Sequence, residues 1–151
     1  MADIGRPGPE RSRAPESARE RLTGRAILVV DDEPSVRRFV SEVLKQQGHE
    51  VIEVAGGREA IRAVYERSSM PDLVVSDVDM PDMSGVELAA RLSADRPGIR
   101  IVLMTGRPDS TELARKHPEI VSAVLLKPFS LDALLDAVDA ALAPTIRPAD
   151  G

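Results

Sequence analysis

The chain has 151 residues, of which 42% are hydrophobic and 30% charged, with a net charge of -5 and no cysteine. That length suits one domain with a single core, and the lack of cysteine excludes disulfides, thiol catalysis and cysteine-ligated zinc. The acidic balance disfavours a nucleic-acid backbone as partner. No apolar run approaches the roughly 18 residues of a membrane span, and the N-terminus is too polar for a secretory segment. A cytoplasmic protein with no direct nucleic-acid or membrane partner is therefore expected.

Residues 1–24 combine Pro7, Pro9 and Pro15 with five Arg and four acids, a composition that cannot bury a core and predicts a disordered tail. The folded part is expected over 25–143. Ala26 to Val30 is a short, wholly apolar run, the pattern of a strand buried on both faces. Pro34 to Gln47 follows with Val36, Phe39, Val40, Val43 and Leu44 at helical spacing, Pro34 suiting a helix start and Gly48 a helix end. Val51 to Val54 predicts a second strand and Arg58 to Arg67 a second helix. Leu73 to Ser76 predicts a third strand that ends at Asp77.

Ser84-Gly85-Val86-Glu87 matches a capping box and opens a helix to about Ala94. Ile99 to Met104 predicts a fourth strand, and a short, weak helix is expected between Asp109 and Lys116. Ala123 to Leu126 predicts a fifth strand. Ser130 caps a last helix whose apolar stripe is Leu131, Leu134, Leu135, Val138 and Leu142, with Asp132, Asp136 and Asp139 opposite. Residues 144–151, with Pro144 and Pro148, predict a short flexible end. Eight residues cannot form a DNA-binding unit, so no output domain is expected, and Met1 is read as favouring a complete protein. His49 and His117 are expected at the surface. With only Phe39, Tyr65 and Phe129 as aromatics, the core must be aliphatic and a base-stacking platform is disfavoured.

Five strands alternating with five helices imply an α/β fold with a parallel sheet covered on both faces. In such sheets ligands bind beyond the carboxyl ends of the strands. Those ends carry Asp31-Asp32-Glu33, Asp77 with Asp79 two residues on, Thr105-Gly106, and Lys127-Pro128. Carboxylates crowded together repel, and a divalent cation removes the conflict. Ligands that are all oxygen point to magnesium or a similar hard ion such as manganese. A carboxylate is a competent nucleophile for a phosphoryl group, and Lys127 and Thr105 could neutralise and hydrogen-bond its oxygens.

The segments 27–34, 71–81, Ser84-Gly85, Met104-Thr105-Gly106 and 126–129, in this order and spacing, resemble the receiver domain of bacterial two-component response regulators over about residues 25–143. The resemblance implies a flavodoxin-like (βα)5 doubly wound sheet of order 2-1-3-4-5. It implies Asp77 as phosphoacceptor, Asp32 as main metal ligand with Asp31 assisting, the Asp79 backbone carbonyl as a further ligand, Thr105 as switch hydroxyl and Lys127 as the residue that pairs with the phosphoryl group. It also implies a cis Lys127-Pro128 bond, a histidine kinase or histidine phosphotransfer protein as donor, and output by conformational change and contact with an unidentified downstream protein. Two features depart from the family pattern. Val124 stands where an aromatic usually reports phosphorylation, and Pro118 interrupts the segment that usually holds the fourth helix.

The remaining alternatives are a phosphate sink, a relay intermediate or a phosphorylation-independent adaptor of the same fold. From other classes come a haloacid-dehalogenase-type phosphatase, suggested by Asp77-Val78-Asp79, and a flavodoxin-like cofactor protein. The phosphatase would carry that motif after its first strand. Flavin phosphate would be repelled by Asp31-Asp32-Glu33.

Overall fold

Apolar side chains occupy every position of the first strand because it is covered from both sides. The computed structural model describes residues 24–67 and 69–143. Apart from Gly24, the two expected tails lie outside the described residues. Strands β1 (Ala26–Val30), β2 (Glu50–Val54), β3 (Leu73–Asp77), β4 (Ile101–Thr105) and β5 (Val121–Leu126) form one parallel sheet in the order β2-β1-β3-β4-β5. Helices α1 (Pro34–Gln46), α2 (Gly57–Glu66), α3 (Gly85–Asp95), α4 (Leu113–Lys116) and α5 (Leu131–Leu142) connect and follow them, with a 3-10 turn over Pro108–Glu112 ahead of α4. The expected fold class and strand order are both present.

Alternation along each strand divides the core in two. Ile27, Val29, Leu73, Val75, Val102 and Met104 face α1 and α5, where they meet Val40, Leu44, Leu134 and Val138. Leu28, Val30, Val74, Ile101 and Leu103 face the other way, onto Ala60, Val64, Leu88 and Leu92 of α2 and α3. Strands β1, β3 and β4 are buried almost throughout, whereas the edge strand β2 exposes Glu50 and Glu53. A fully buried Leu such as Leu134 contributes about 1.5–3 kcal/mol by leaving water.

Local signals place the helices. Pro34 starts α1, where its missing N–H costs nothing, and Gly48 follows the helix with φ +91, a left-handed conformation that favours glycine. Ser84 Oγ accepts the Glu87 N–H at 3.0 Å, and Ser130 Oγ accepts the Ala133 N–H at 3.0 Å. The serine bond of each expected cap therefore forms.

Several boundaries differ from expectation. β4 begins at Ile101 rather than Ile99, because Ile99 donates back to the Arg96 carbonyl and Gly98 turns with φ +98. β5 begins at Val121, and the register steps from Ile101 opposite Val121 to Val102 opposite Ala123, so Ser122 is the extra residue of a bulge. α4 ends at Lys116, ahead of Pro118, and the His117 carbonyl accepts from Ile120 and Val121 to turn the chain into β5. The stripe of α5 starts one turn late: Leu131, expected apolar and inward, is 48% exposed, while Ala137 joins Leu134, Val138 and Leu142 in the core.

His49 corrects a further expectation. It is 6% exposed rather than at the surface, since it immediately precedes β2 and its Nδ1 accepts the Arg25 N–H at 3.3 Å across the sheet end. Among the described residues no helix is long and apolar enough to cross a membrane.

Candidate functional site

The parallel register brings the strand ends to one edge. Val30 lies opposite Ser76 and Asp77 opposite Met104, so the residues just beyond β1, β3 and β4 sit side by side. Asp31 is fully buried, Asp77 is 6% exposed, and Thr105 is fully buried at the end of β4. Asp32 is exposed. Asp31, Asp32 and Asp77 each offer a carboxylate oxygen within 4.8 Å of the others.

Lys127 reaches into this cluster from the end of β5. Its Nζ lies 3.0 Å from Asp77 Oδ1 and 3.1 Å from Asp31 Oδ2, with Glu33 Oε1 farther off at 4.0 Å. The Lys127 N–H donates to the Thr105 carbonyl at 2.7 Å, and the Lys127-Pro128 bond is cis, as the resemblance implies. Sequence-predicted Asp31, Asp32, Asp77 and Lys127 thus meet directly, and Thr105 stands on the adjacent strand.

Charge in this cluster is only partly compensated. Burial pushes the Asp77 carboxyl up to about 6, against the Lys127 hydrogen bond that lowers it, and the Asp31 and Asp32 charges push it further up. Burial also pulls on the Lys127 ammonium, but the bonds to Asp77 and Asp31 outweigh it and hold its pKa above the ordinary value. Three carboxylates facing one ammonium leave room for a divalent ion. All candidate donors are oxygens, so the residues fit a hard cation such as magnesium, and the ammonium between Asp31 and Asp77 shows that this position already favours positive charge.

Thr105 and Asp79 are engaged elsewhere. The Thr105 hydroxyl accepts the Arg107 N–H at 3.0 Å on its own loop. The Asp79 side chain turns to Arg107, with Arg107 Nη2 at 3.1 Å from Asp79 Oδ1. Val124 is half-buried and packs against the α2–α3 face of the core, so the position that usually holds an aromatic is filled by a small aliphatic group.

Five further hydrogen bonds support the site. Asp31 Oδ1 accepts the Glu33 N–H at 2.9 Å. Arg37 Nη1 donates to the Asp31 carbonyl at 2.7 Å. Asp82 accepts from the Gly57 and Arg58 N–H groups at 3.3 and 3.0 Å, and the Arg58 bond, opposed by burial and helped by the Gly57 bond, lowers its pKa. Gly85 donates to the Val78 carbonyl at 2.8 Å, and a Cβ there would overlap the Asp77 carbonyl oxygen. Only glycine lets the loop after Asp77 close this tightly onto α3.

Comparison with known proteins bears on this arrangement. A family model described as the response regulator receiver domain matches residues 27–139. The transcriptional regulatory protein TcrA of Mycobacterium tuberculosis is 37% identical over 122 residues, 81% of this chain and 47% of TcrA, so the chain spans about half the length of that relative. Sporulation initiation phosphotransferase F of Bacillus subtilis is 31% identical over 113 residues, which is 74% of this chain and 89% of that protein. The response regulator TrrA of Thermotoga maritima, solved in complex with Mg(2+)-BeF, superposes with a TM-score of 0.68 at 29% identity, covering 78% of this chain and 99% of TrrA.

Proposed function

Because the chain belongs to the response regulator receiver domain family of two-component systems, we propose that it accepts a phosphoryl group on Asp77 and signals by a change of conformation and protein contact. The observation that carries this reading is the Lys127 ammonium between Asp77 and Asp31, with Asp32 close by on the same sheet edge. An oxygen of the Asp77 carboxylate forms the new O–P bond while the P–N bond of a partner's phosphohistidine breaks. The departing imidazole nitrogen takes a proton from solvent. The donor is a histidine kinase or a histidine phosphotransfer protein.

Asp31, Asp32, Asp77 and the Asp79 backbone carbonyl would hold a magnesium or manganese ion, which supplies charge neutralisation for the phosphoryl oxygens. Lys127, already beside Asp77, neutralises a further oxygen. The Thr105 hydroxyl accepts from Arg107 and still has a proton to donate, so it can bond another oxygen by a small rotation of its loop. This biases a pre-existing equilibrium of the loops after β3 and β4. With Val124 in place of an aromatic, the movement passes along β5 with little side-chain swing. On this reading the protein is a phosphoacceptor and acts on no substrate but itself.

A relay role, in which Asp77 hands the phosphoryl group to a second histidine, is favoured by the match to a protein named a phosphotransferase over 89% of that protein's length. Intact-mass measurement after incubation with acetyl phosphate tests the common chemistry. One phosphoryl adduct is expected with magnesium, and none with chelator or in Asp77→Ala. No adduct under any condition in a folded sample would leave a phosphorylation-independent adaptor.

A further inference from the structure

Arg37 lies on the first turns of α1, outside the cluster of acids, yet it touches the chain at its most sensitive point. Its Nη1 donates to the Asp31 carbonyl at 2.7 Å in a part-buried contact. That carbonyl belongs to the peptide linking Asp31 to Asp32, so its direction sets where the Asp32 side chain leaves the backbone. The same guanidinium places Nε 3.7 Å from Glu53 Oε1 on β2, and Lys45 Nζ approaches the other Glu53 oxygen at 3.8 Å. Glu53 stands opposite Val29 in the register, so Arg37 is held between the end of β1, the neighbouring edge strand and its own helix.

The rest of this loop is fixed only in part. Asp31 is pinned by the Val54 carbonyl at its N–H, by the Glu33 N–H at Oδ1 and by Lys127 at Oδ2. Asp32 is exposed, and with Asp31 otherwise held through its N–H and side chain, the Arg37 bond is what fixes the peptide plane that carries it. An arginine fork can hold a carbonyl and a carboxylate at once, whereas a lysine ammonium is a point charge without that geometry.

We infer that Arg37 is a positioning residue for the divalent-ion site: it orients the Asp31–Asp32 peptide, with Glu53 as its anchor, so that Asp32 is presented to the ion. The inference rests on the ion site of the proposed function. Its sign separates it from plain electrostatics. A nearby positive charge repels a cation, so on charge alone removing Arg37 would tighten magnesium binding. Removing a group that orients a ligand loosens it, by up to 10–100-fold where such partners have been altered.

The experiment is calorimetric titration of the full chain with magnesium chloride, comparing the unaltered protein with Arg37→Met and Arg37→Lys, with thermal unfolding in chelator recorded on each. Magnesium affinity is expected to fall about 5–10-fold in Arg37→Met and to be recovered only in small part in Arg37→Lys, which keeps the charge and loses the fork. Affinity unchanged or raised in Arg37→Met, or fully restored in Arg37→Lys, overturns the positioning role while leaving the receiver reading intact. An unaltered protein that binds no magnesium overturns both. Should Arg37→Met prove unfolded in chelator, Arg37→Lys alone decides, since wild-type affinity in that variant removes the need for the fork.

Discussion

The two ends of the same sheet treat their polar side chains in different ways. At the end where the strands begin, two side chains take neutral backbone partners: His49 Nδ1 accepts the Arg25 N–H, and Asp72 Oδ2 accepts the Ala26 N–H at 2.8 Å. At the end where they finish, Asp31 and Asp77 share one ammonium, and burial holds Asp77 near 6. The first arrangement satisfies hydrogen bonds and stabilises the fold. The second collects like charge where it is costly, which suits the proposed binding of a cation and a phosphoryl group. The difference separates polar residues that serve folding from those that serve chemistry, within one architecture.

The comparison is sharpest at Lys127. Lys127→Ala leaves two buried carboxylates without a counter-charge, and in chelator it is expected to lower stability by about 3–5 kcal/mol. Magnesium at 100 times its Kd should return about 2.7 kcal/mol. Denaturant unfolding with and without magnesium measures both. No gain in stability on adding magnesium, in either protein, would mean that the cluster does not use a cation.

Asp77→Asn should act in the opposite direction. The folded-state pKa of Asp77 is raised from 3.8 to about 6, so the folded protein binds this proton more readily than the unfolded chain. Its contribution is fully favourable below pH 3.8 and is lost as pH rises through about 6. Above that, removing the charge is expected to stabilise the metal-free protein by about 3 kcal/mol, with no gain at pH 4. A destabilised Asp77→Asn at pH 7.5 would erase the distinction between the two ends.

His49 gives a smaller effect with the reverse pH sense. Burial, then the Arg25 charge, lowers its pKa below 6.5, with Asp72 opposing. The folded state therefore binds a proton less readily than the unfolded chain. Stability is complete above pH 6.5 and declines as pH falls below it toward the lowered value. His49→Gln should remove that acid limb at a cost of about 1 kcal/mol at pH 7.5, leaving phosphorylation unchanged. The smallest change is expected for Asp72→Ala, where an exposed acceptor of one backbone N–H is lost: about 0.5–1 kcal/mol, again without effect on the phosphoryl adduct. A lost adduct in either variant would show that the two ends are coupled.

Most of the site was legible before any coordinates because it depends on strand ends alone. Asp31, Asp32, Asp77, Thr105 and Lys127 each follow an apolar run that could only be a buried strand, and parallel strands finish at one edge. The fourth helix was legible as a weakness, since Pro118 forbids its extension, and it appears as a 3-10 turn and a single α turn. What escaped were partners set by loop paths. Arg37 reads as one of several charged residues on an exposed helix face until its reach to the Asp31 carbonyl is seen. Asp79 is expected to act through its backbone carbonyl, and nothing in the sequence says that its side chain reaches Arg107, 28 residues away. His49 follows a glycine and precedes a glutamate, neighbours that suggest a surface turn, and is buried by a strand arriving from elsewhere.

By itself the sequence determined the alternating strands and helices, the aliphatic core and the set of groups at the carboxyl edge. Periodicity, caps and strand ends are local, and parallel pairing follows from their alternation. Only the tertiary structure decided that Lys127 bridges Asp31 and Asp77, that Thr105 and Asp79 are both held by Arg107, and that Arg37 grips the peptide between the two acids. Those contacts join side chains whose separation is fixed by how the loops cross the sheet edge, and a hydrogen bond forms or fails over less than 1 Å, a margin that no pattern of residue types encodes.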